Sequence, residues 1–303
     1  RDPEMSRGLG DVYKRQIMSK PSGAIDMTQG KPINLMLRFA LPMMIGSIFQ
    51  SLYSMVDSAV LGRFVGSHAL AAIGATTSTT GLILLLATGV TSAISIVLSQ
   101  YVGANDTDRV RKGIVASGWI TLLLGVVLGL ISVFAARPLM QLLKTPEDVI
   151  DMSVLYIQIV CGCGIAQFTY NAAASILRAL GDSKTPLYFL ILCSILNVIL
   201  DLISVIGLNM GVAGVAVATV GSQAISAAVC ILVMFRKYPD LMPKRHTLRP
   251  DMPVSLKIFG MGAQMALQSL FLSVGMMVIT RVINSYGSVS YTHLRAHETS
   301  QDL

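Results

Sequence analysis

Six stretches of this chain contain no Asp, Glu, Lys or Arg: residues 64–105, 113–136, 152–177, 185–200, 202–235 and 258–280. A seventh, from Phe39 to Val56, is interrupted only when Asp57 appears. Each run approaches or exceeds the roughly 20 residues that a helix needs to cross a hydrocarbon core of about 30 Å. None alternates as a barrel strand would, and all are longer than the roughly ten residues of such a strand. The runs leave the chain only 13% charged, against about a quarter in a soluble domain. The fold class that follows is all-α: a polytopic membrane protein.

Pairing the runs with turn-forming residues gives seven spans, near 33–61, 70–100, 113–136, 149–177, 186–206, 212–235 and 258–283. "GANDTDRVRK" (103–112) reads as a polar loop, Arg137-Pro138 with "KTPED" as a connection, and "GLNMG" (207–211) as a tight turn. Pro42 lies inside the first span, where it removes a backbone hydrogen bond and allows a bend. With the N-terminus on the cytoplasmic side, fourteen Lys and Arg fall on inner segments and four on outer ones. That positive-inside bias predicts a multi-pass protein of the cell's inner (plasma) membrane. The net charge of +7 is then a matter of topology, and no nucleic-acid partner is expected.

The chain divides into 18–235 with six spans, a hydrophilic linker over 236–257, and a seventh span over 258–287 that opens a second half. Residues 1–17 and 288–303 are charged, lack an apolar stripe, and resemble translated sequencing-adapter read-through; both are expected to be foreign, with Met18 the natural start. Cys161, Cys163, Cys193 and Cys230 all fall in apolar runs. Without a second pair for Cys161-Gly-Cys163, they read as buried free thiols.

Asp57 and Asp201 are the acids set deep in spans. An ionised carboxylate at mid-bilayer costs about 3 kcal/mol on insertion scales, so two of them call for a use. Counting along the helices sets both in the outer half of the bilayer. Asn197 precedes Asp201 by one helical turn and shares its face, and the sixth span returns Thr219 past the same level. Two carboxylates, an amide and a hydroxyl can ligate a hard monovalent cation or hold a proton. Asn197 and Thr219 could equally bind helices together. Gln50, Tyr53 and Ser54, just before Asp57, could line a cavity or bond between helices. No HExxH, GxSxG, CxxC pair or phosphate loop is present, and the spans carry no deep histidine, so an enzyme is not expected.

"RFALPMMIGSIFQSL" (38–52) aligns loosely with "IFGMGAQMALQSLFL" (258–272), as two parallel halves of a transporter would. More specifically, "RFALPMMIGSIFQSLYSMVDSAVLGRFVGSHALAAIG" (38–74), "SQYVGANDTDRVRK" (99–112) and "ILRALGDSKTPLYFLILCSILNVILDLISVIGLNMGVAGVAVATVGSQ" (176–223) resemble the multidrug and toxic compound extrusion family. The resemblance implies a fragment of a twelve-helix, two-lobe transporter: the six-helix N-lobe plus the seventh helix. It carries the family's N-lobe cation site onto Asp57, Asn197, Asp201 and Thr219, and its bending proline onto Pro42. Ser54 departs from the asparagine that many members have after the tyrosine, and Gly262 stands where the seventh helix often has proline.

The resemblance implies an antiporter that exports amphipathic, often cationic drugs or toxic metabolites by alternating access. It needs no cofactor beyond a coupling Na⁺ or H⁺, and no metal beyond a Na⁺ at those four residues. Its partners are the small-molecule substrate and the lipid bilayer, and the intact protein is expected to be monomeric. The alternative is a flippase for a lipid-linked precursor, which a basic cavity would favour; spans 1–7 carry few deep basic side chains.

Overall fold

The computed structural model describes residues 32–243 and 248–285, and the two expected foreign ends lie outside them. The chain is a bundle of long helices: α1 (Pro32–Phe64), α2 (Ser67–Gly103), α3 (Thr107–Leu142), α4 (Glu147–Gly162), α5 (Ile165–Ala179), α6 (Lys184–Leu202), α7 (Gly211–Lys237) and α8 (Met252–Ser285). Six helices are long and apolar enough to cross a membrane, and α4 with α5 makes a seventh span, bent by 42° at a short break. Helix is the form these apolar runs must take, because lipid offers no partner for an unpaired backbone group.

Helix ends differ from the sequence reading at several points, for identifiable reasons. The polar segment 103–112 is mostly helix. Only Ala104–Asp106 lie outside one, and Asp106 Oδ1 accepts a 3.0 Å hydrogen bond from the Arg109 amide as an N-cap. Arg137-Pro138 is no connection, since α3 stays helical through Pro138 to Leu142. The fourth span is broken at Cys163-Gly164, and α6 ends in a π-helical turn, Ile203–Gly207. The segment read as linker, 236–257, gives up both edges to helix, with α7 running to Lys237 and α8 beginning at Met252.

The break in the fourth span carries no proline; close backbone packing shapes it. A Cβ on Gly129 would sit 2.8 Å from the Gly162 carbonyl oxygen, and one on Gly125 would sit 2.9 Å from the Ile165 side chain. The α4–α5 bend therefore settles into a bare stretch of α3. Likewise α8 crosses α2 at near-backbone contact: a Cβ on Gly89 would meet the Ala266 amide nitrogen at 2.8 Å and the Gly262 oxygen at 2.9 Å. Small residues at such crossings are how helices associate where lipid supplies no hydrophobic drive.

The largest buried cluster joins α2, α3, α5, α7 and α8 around Ile94, Leu98, Ile114, Leu177 and Ile258. It lies toward the basic end of the bundle. There Arg111 Nε donates to the Asp240 carbonyl at 2.8 Å, Trp119 Nε1 to the Leu248 carbonyl at 2.9 Å, and Lys112 pairs with Asp251 at 3.0 Å. The linker is thus held down on α3. A second cluster, Val60, Leu61, Ala69, Val205, Val212 and Val215, closes the opposite end. Near it, His68 meets Asp148 at 3.2 Å and Arg137 meets Asp151 at 2.8 Å.

Candidate functional site

α1 rests mainly on α6, and α6 on α7. That order brings one polar face of each helix to a common seam just inside the second cluster. Asp57 comes from α1, Asn197 and Asp201 from α6 immediately before its π turn, and Thr219 from α7. π turns widen a helix by one residue and recur at functional sites. Here the turn follows Asp201, and its Ile203 carbonyl accepts from the Leu208 amide at 3.0 Å.

The Asp57 and Asp201 carboxyl groups face each other across α1 and α6, within hydrogen-bonding reach. Asp201 and Asn197 are buried and Asp57 is half-buried. Asn197 Nδ2 points at Thr219 Oγ1, 3.5 Å away, and the Thr219 hydroxyl donates to the Val215 carbonyl at 2.9 Å. That hydroxyl has spent its proton on the backbone, so only its lone pairs face the seam.

Among the described residues nothing donates to Asp57 Oδ1, to either oxygen of Asp201, or to Asn197 Oδ1. Two like unit charges about 4 Å apart repel by roughly 4 kcal/mol even at an effective dielectric near 20. Two facing carboxyls with no donor therefore need a positive species between them. The free atoms are oxygens of the hard type that suits Na⁺, and the facing pair also suits a single shared proton.

The other expected residues divide. Tyr53 is half-buried beside Asp57 and Cys193, with Gln50 and Ser54 in hydrogen-bonding reach of its side chain. Gln50 and Ser54 are themselves exposed on α1, where the Ser54 hydroxyl donates back to the Gln50 carbonyl at 3.1 Å. Pro42 is buried four turns below Asp57 in an unbroken helix. Tyr156 of α4 stands close to both carboxylates and to Tyr53. Nothing in its surroundings along the chain sets it apart, since one aromatic in an apolar span reads as packing. Of the four free cysteines, Cys163 at the helix break is exposed, contrary to the reading of all four as buried; Cys161, Cys193 and Cys230 are buried.

Comparison with known proteins adds to this geometry. The MatE family model matches residues 42–203. "Probable multidrug resistance protein YpnP" of Bacillus subtilis is 33% identical over 266 residues, 87% of this chain and 59% of that protein. "Multidrug export protein MepA" of Staphylococcus saprophyticus is 23% identical, over 84% of this chain and 56% of that protein. A crystal structure of a MATE protein in complex with MaD3S superposes with a TM-score of 0.80 at 25% identity, covering 88% of this chain and 60% of that one. The chain thus spans somewhat over half the length of the relatives it matches. With its membrane-spanning all-α bundle, the chain belongs to the MatE family of multidrug and toxic compound extrusion transporters.

Proposed function

We propose that the protein exports amphipathic, often cationic drugs or toxic metabolites in exchange for Na⁺ or H⁺ held by Asp57, Asn197, Asp201 and Thr219. One observation carries the reading: two carboxyl groups face each other between helices while three of their four oxygens are buried without a donor. A bound ion supplies only the missing positive charge; the protein's residues do the rest. With the ion in place α1 and α6 are drawn together at this level. Without it, like charges push the two helices apart.

Pro42 gives that push somewhere to go. Proline has no N–H to offer the Arg38 carbonyl one turn back, so α1 has a soft point between its inner end and Asp57. Coupling then requires only that ion and drug prefer different shapes of the lobe, because neither can shift an equilibrium it does not discriminate. The basic end of the bundle faces the cytoplasm in this reading, and the intact protein works as a monomer in the plasma membrane.

The test uses the intact protein in drug-sensitive cells. Asp57→Asn removes the charge while keeping the shape, and should abolish drug resistance at unchanged membrane abundance. Resistance equal to the wild type would remove Asp57 from the coupling site.

A further inference from the structure

By the likeness of 258–272 to 38–52, α8 opens the second half of the chain, yet it is fastened to the first half at one end only. It rests mainly on α2 and then on α3. Val254 and Ile258 are buried in the largest cluster, with Ile94 and Leu98 of α2 and Ile114 of α3. Ala266 is buried where Gly89 of α2 meets it. A Cβ on Gly262 would sit 3.0 Å from Val90 Cγ2 and 3.1 Å from the Val90 Cα, so the two backbones nearly touch there. Beyond this crossing the packing ends. Of the described side chains from Leu267 to Ile279, only Ser269 is even half-buried. α8 is therefore closed on the first half at the basic end and free of it past the crossing.

Polar bonds fringe the closed end. Lys112 Nζ of α3 lies 3.0 Å from Oδ2 of Asp251, the residue that caps α8. Lys257 Nζ donates to Gln100 Oε1 of α2 at 3.0 Å and stands 5.0 Å over the Tyr101 ring. The Lys112 side chain keeps 56% of its surface exposed, and Gln100 and Lys257 are exposed. Such pairs hold weakly, because water replaces either partner. The glycine crossing is of another kind. Backbone set against backbone has no side chain that can turn aside, so it parts as a whole or stays.

This division suits a joint that is made and broken. Two halves that rock about a central site meet on one side while the other is open, and then exchange sides. Gly89, Gly262 and Ala266 form a seat of small residues that lets the helices approach this closely. The exposed bonds around the seat then set how long it stays filled.

We infer that the Lys112–Asp251 and Lys257–Gln100 bonds are a latch, holding α8 on α2 and α3 while the other end of the bundle is open and releasing in each transport cycle. The inference rests on the proposed drug–ion exchange, with two halves that alternate. Asp251 can let go of Lys112 without unwinding α8. Its carboxylate also accepts from the Val254 amide at 3.3 Å, and its carbonyl accepts from the Ser255 hydroxyl at 2.9 Å. Release therefore moves the end of α8 and leaves it helical.

The intact transporter, carrying Cys163→Ser to remove the exposed thiol, is reconstituted in liposomes and its drug export measured. Gln100→Cys with Lys257→Cys accepts a short, reducible bis-methanethiosulfonate bridge across the latch. The bridge should slow export about tenfold or more, and reduction should restore the unbridged rate, which shows that the protein is folded. A bridge between Arg137→Cys and Asp151→Cys joins α3 to α4 within the first half and should leave the rate unchanged. Undiminished export with the latch bridged overturns the inference, because α8 then travels with the first half. Equal slowing by the two bridges overturns it as well. Opening is read separately at Met261→Cys, half-buried at the joint. Its reaction with a maleimide should speed up about fivefold once Lys112→Met and Lys257→Met remove the weak bonds, and an unchanged rate counts against the latch. Asp57→Asn tells the two ideas apart. Wild-type export in that variant sinks the coupling reading, whereas an ineffective bridge beside an inactive Asp57→Asn sinks the latch alone.

Discussion

Lys237, at the end of α7, donates a 2.6 Å hydrogen bond to Asp182 Oδ2, although 55 residues separate them in the chain. The same carboxylate accepts from the Thr185 hydroxyl at 2.6 Å and from the Thr185 amide at 3.0 Å. Asp182 is fully buried, while the Lys237 side chain keeps 21% of its surface exposed. The pair ties the α5–α6 turn to the end of α7. Removing one partner from a buried pair strands the other charge, at about 3–5 kcal/mol. Thr185 keeps its two bonds, so Lys237→Met should lose about 3 kcal/mol. Thermal unfolding in detergent reads this, with the neighbouring exposed Arg236→Met as a control that should shift little.

The α2–α8 crossing predicts a second stability effect. An added methyl at Gly89 falls on backbone atoms of Ala266 and Gly262, which cannot turn aside as a side-chain end could. Gly89→Ala should destabilise by about 1–3 kcal/mol, the usual scale of overpacking. Gly81→Ala on the same helix meets nothing within 4 Å and should be neutral or slightly stabilising. A melting point of Gly89→Ala equal to that of Gly81→Ala would show that the helices can part at no cost.

At the proposed ion site, Thr219→Val keeps the shape and removes two lone pairs. Loss of one hydrogen-bond-scale contact to a charged group is worth about 1.5 kcal/mol or more. The ion concentration, or acidity, needed to release half the bound drug should rise about tenfold, with maximal release unchanged. An unchanged midpoint would confine Thr219 to its 2.9 Å bond with Val215.

The linker clamp should respond to pH. Lys112, hydrogen-bonded to Asp251, and the Val254 amide hold that carboxyl below its ordinary value of 3.8. A depressed acid stabilises the fold above its unfolded value and loses that contribution as pH falls through the folded one. The Asp251 cap of α8, seen as a 3.3 Å bond from the Val254 amide, should therefore persist at pH 5 and release only below 3.8. Hydrogen exchange of the Val254 amide checks it, and Lys112→Ala should move the release to higher pH.

The spans were legible because charge is too costly in lipid to be scattered, so its absence over some 20 residues is a clear signal. Their ends were less so. Thr107–Lys112 looks like a loop by composition, yet its charges can reach water from the end of a helix, and Asp106 caps it. Pro138 looks like a stop, but a proline near the end of a span costs only a bond or two. The four polar residues of the candidate site stood out against apolar neighbours, and the structure brings Asp57 to Asp201 and Asn197 to Thr219. Tyr156 did not stand out, since its single hydroxyl is hidden in an aromatic ring.

The bend in the fourth span follows a different logic. Nothing in Gly162-Cys163-Gly164 obliges a chain to turn by 42°; the hollow on α3 left by Gly125 and Gly129 receives it. The shape of one transmembrane segment is thus inherited from another, some thirty positions earlier in the sequence. A methyl group gained on α3 would straighten or displace α4, and Tyr156, close to the paired acids, would move with it.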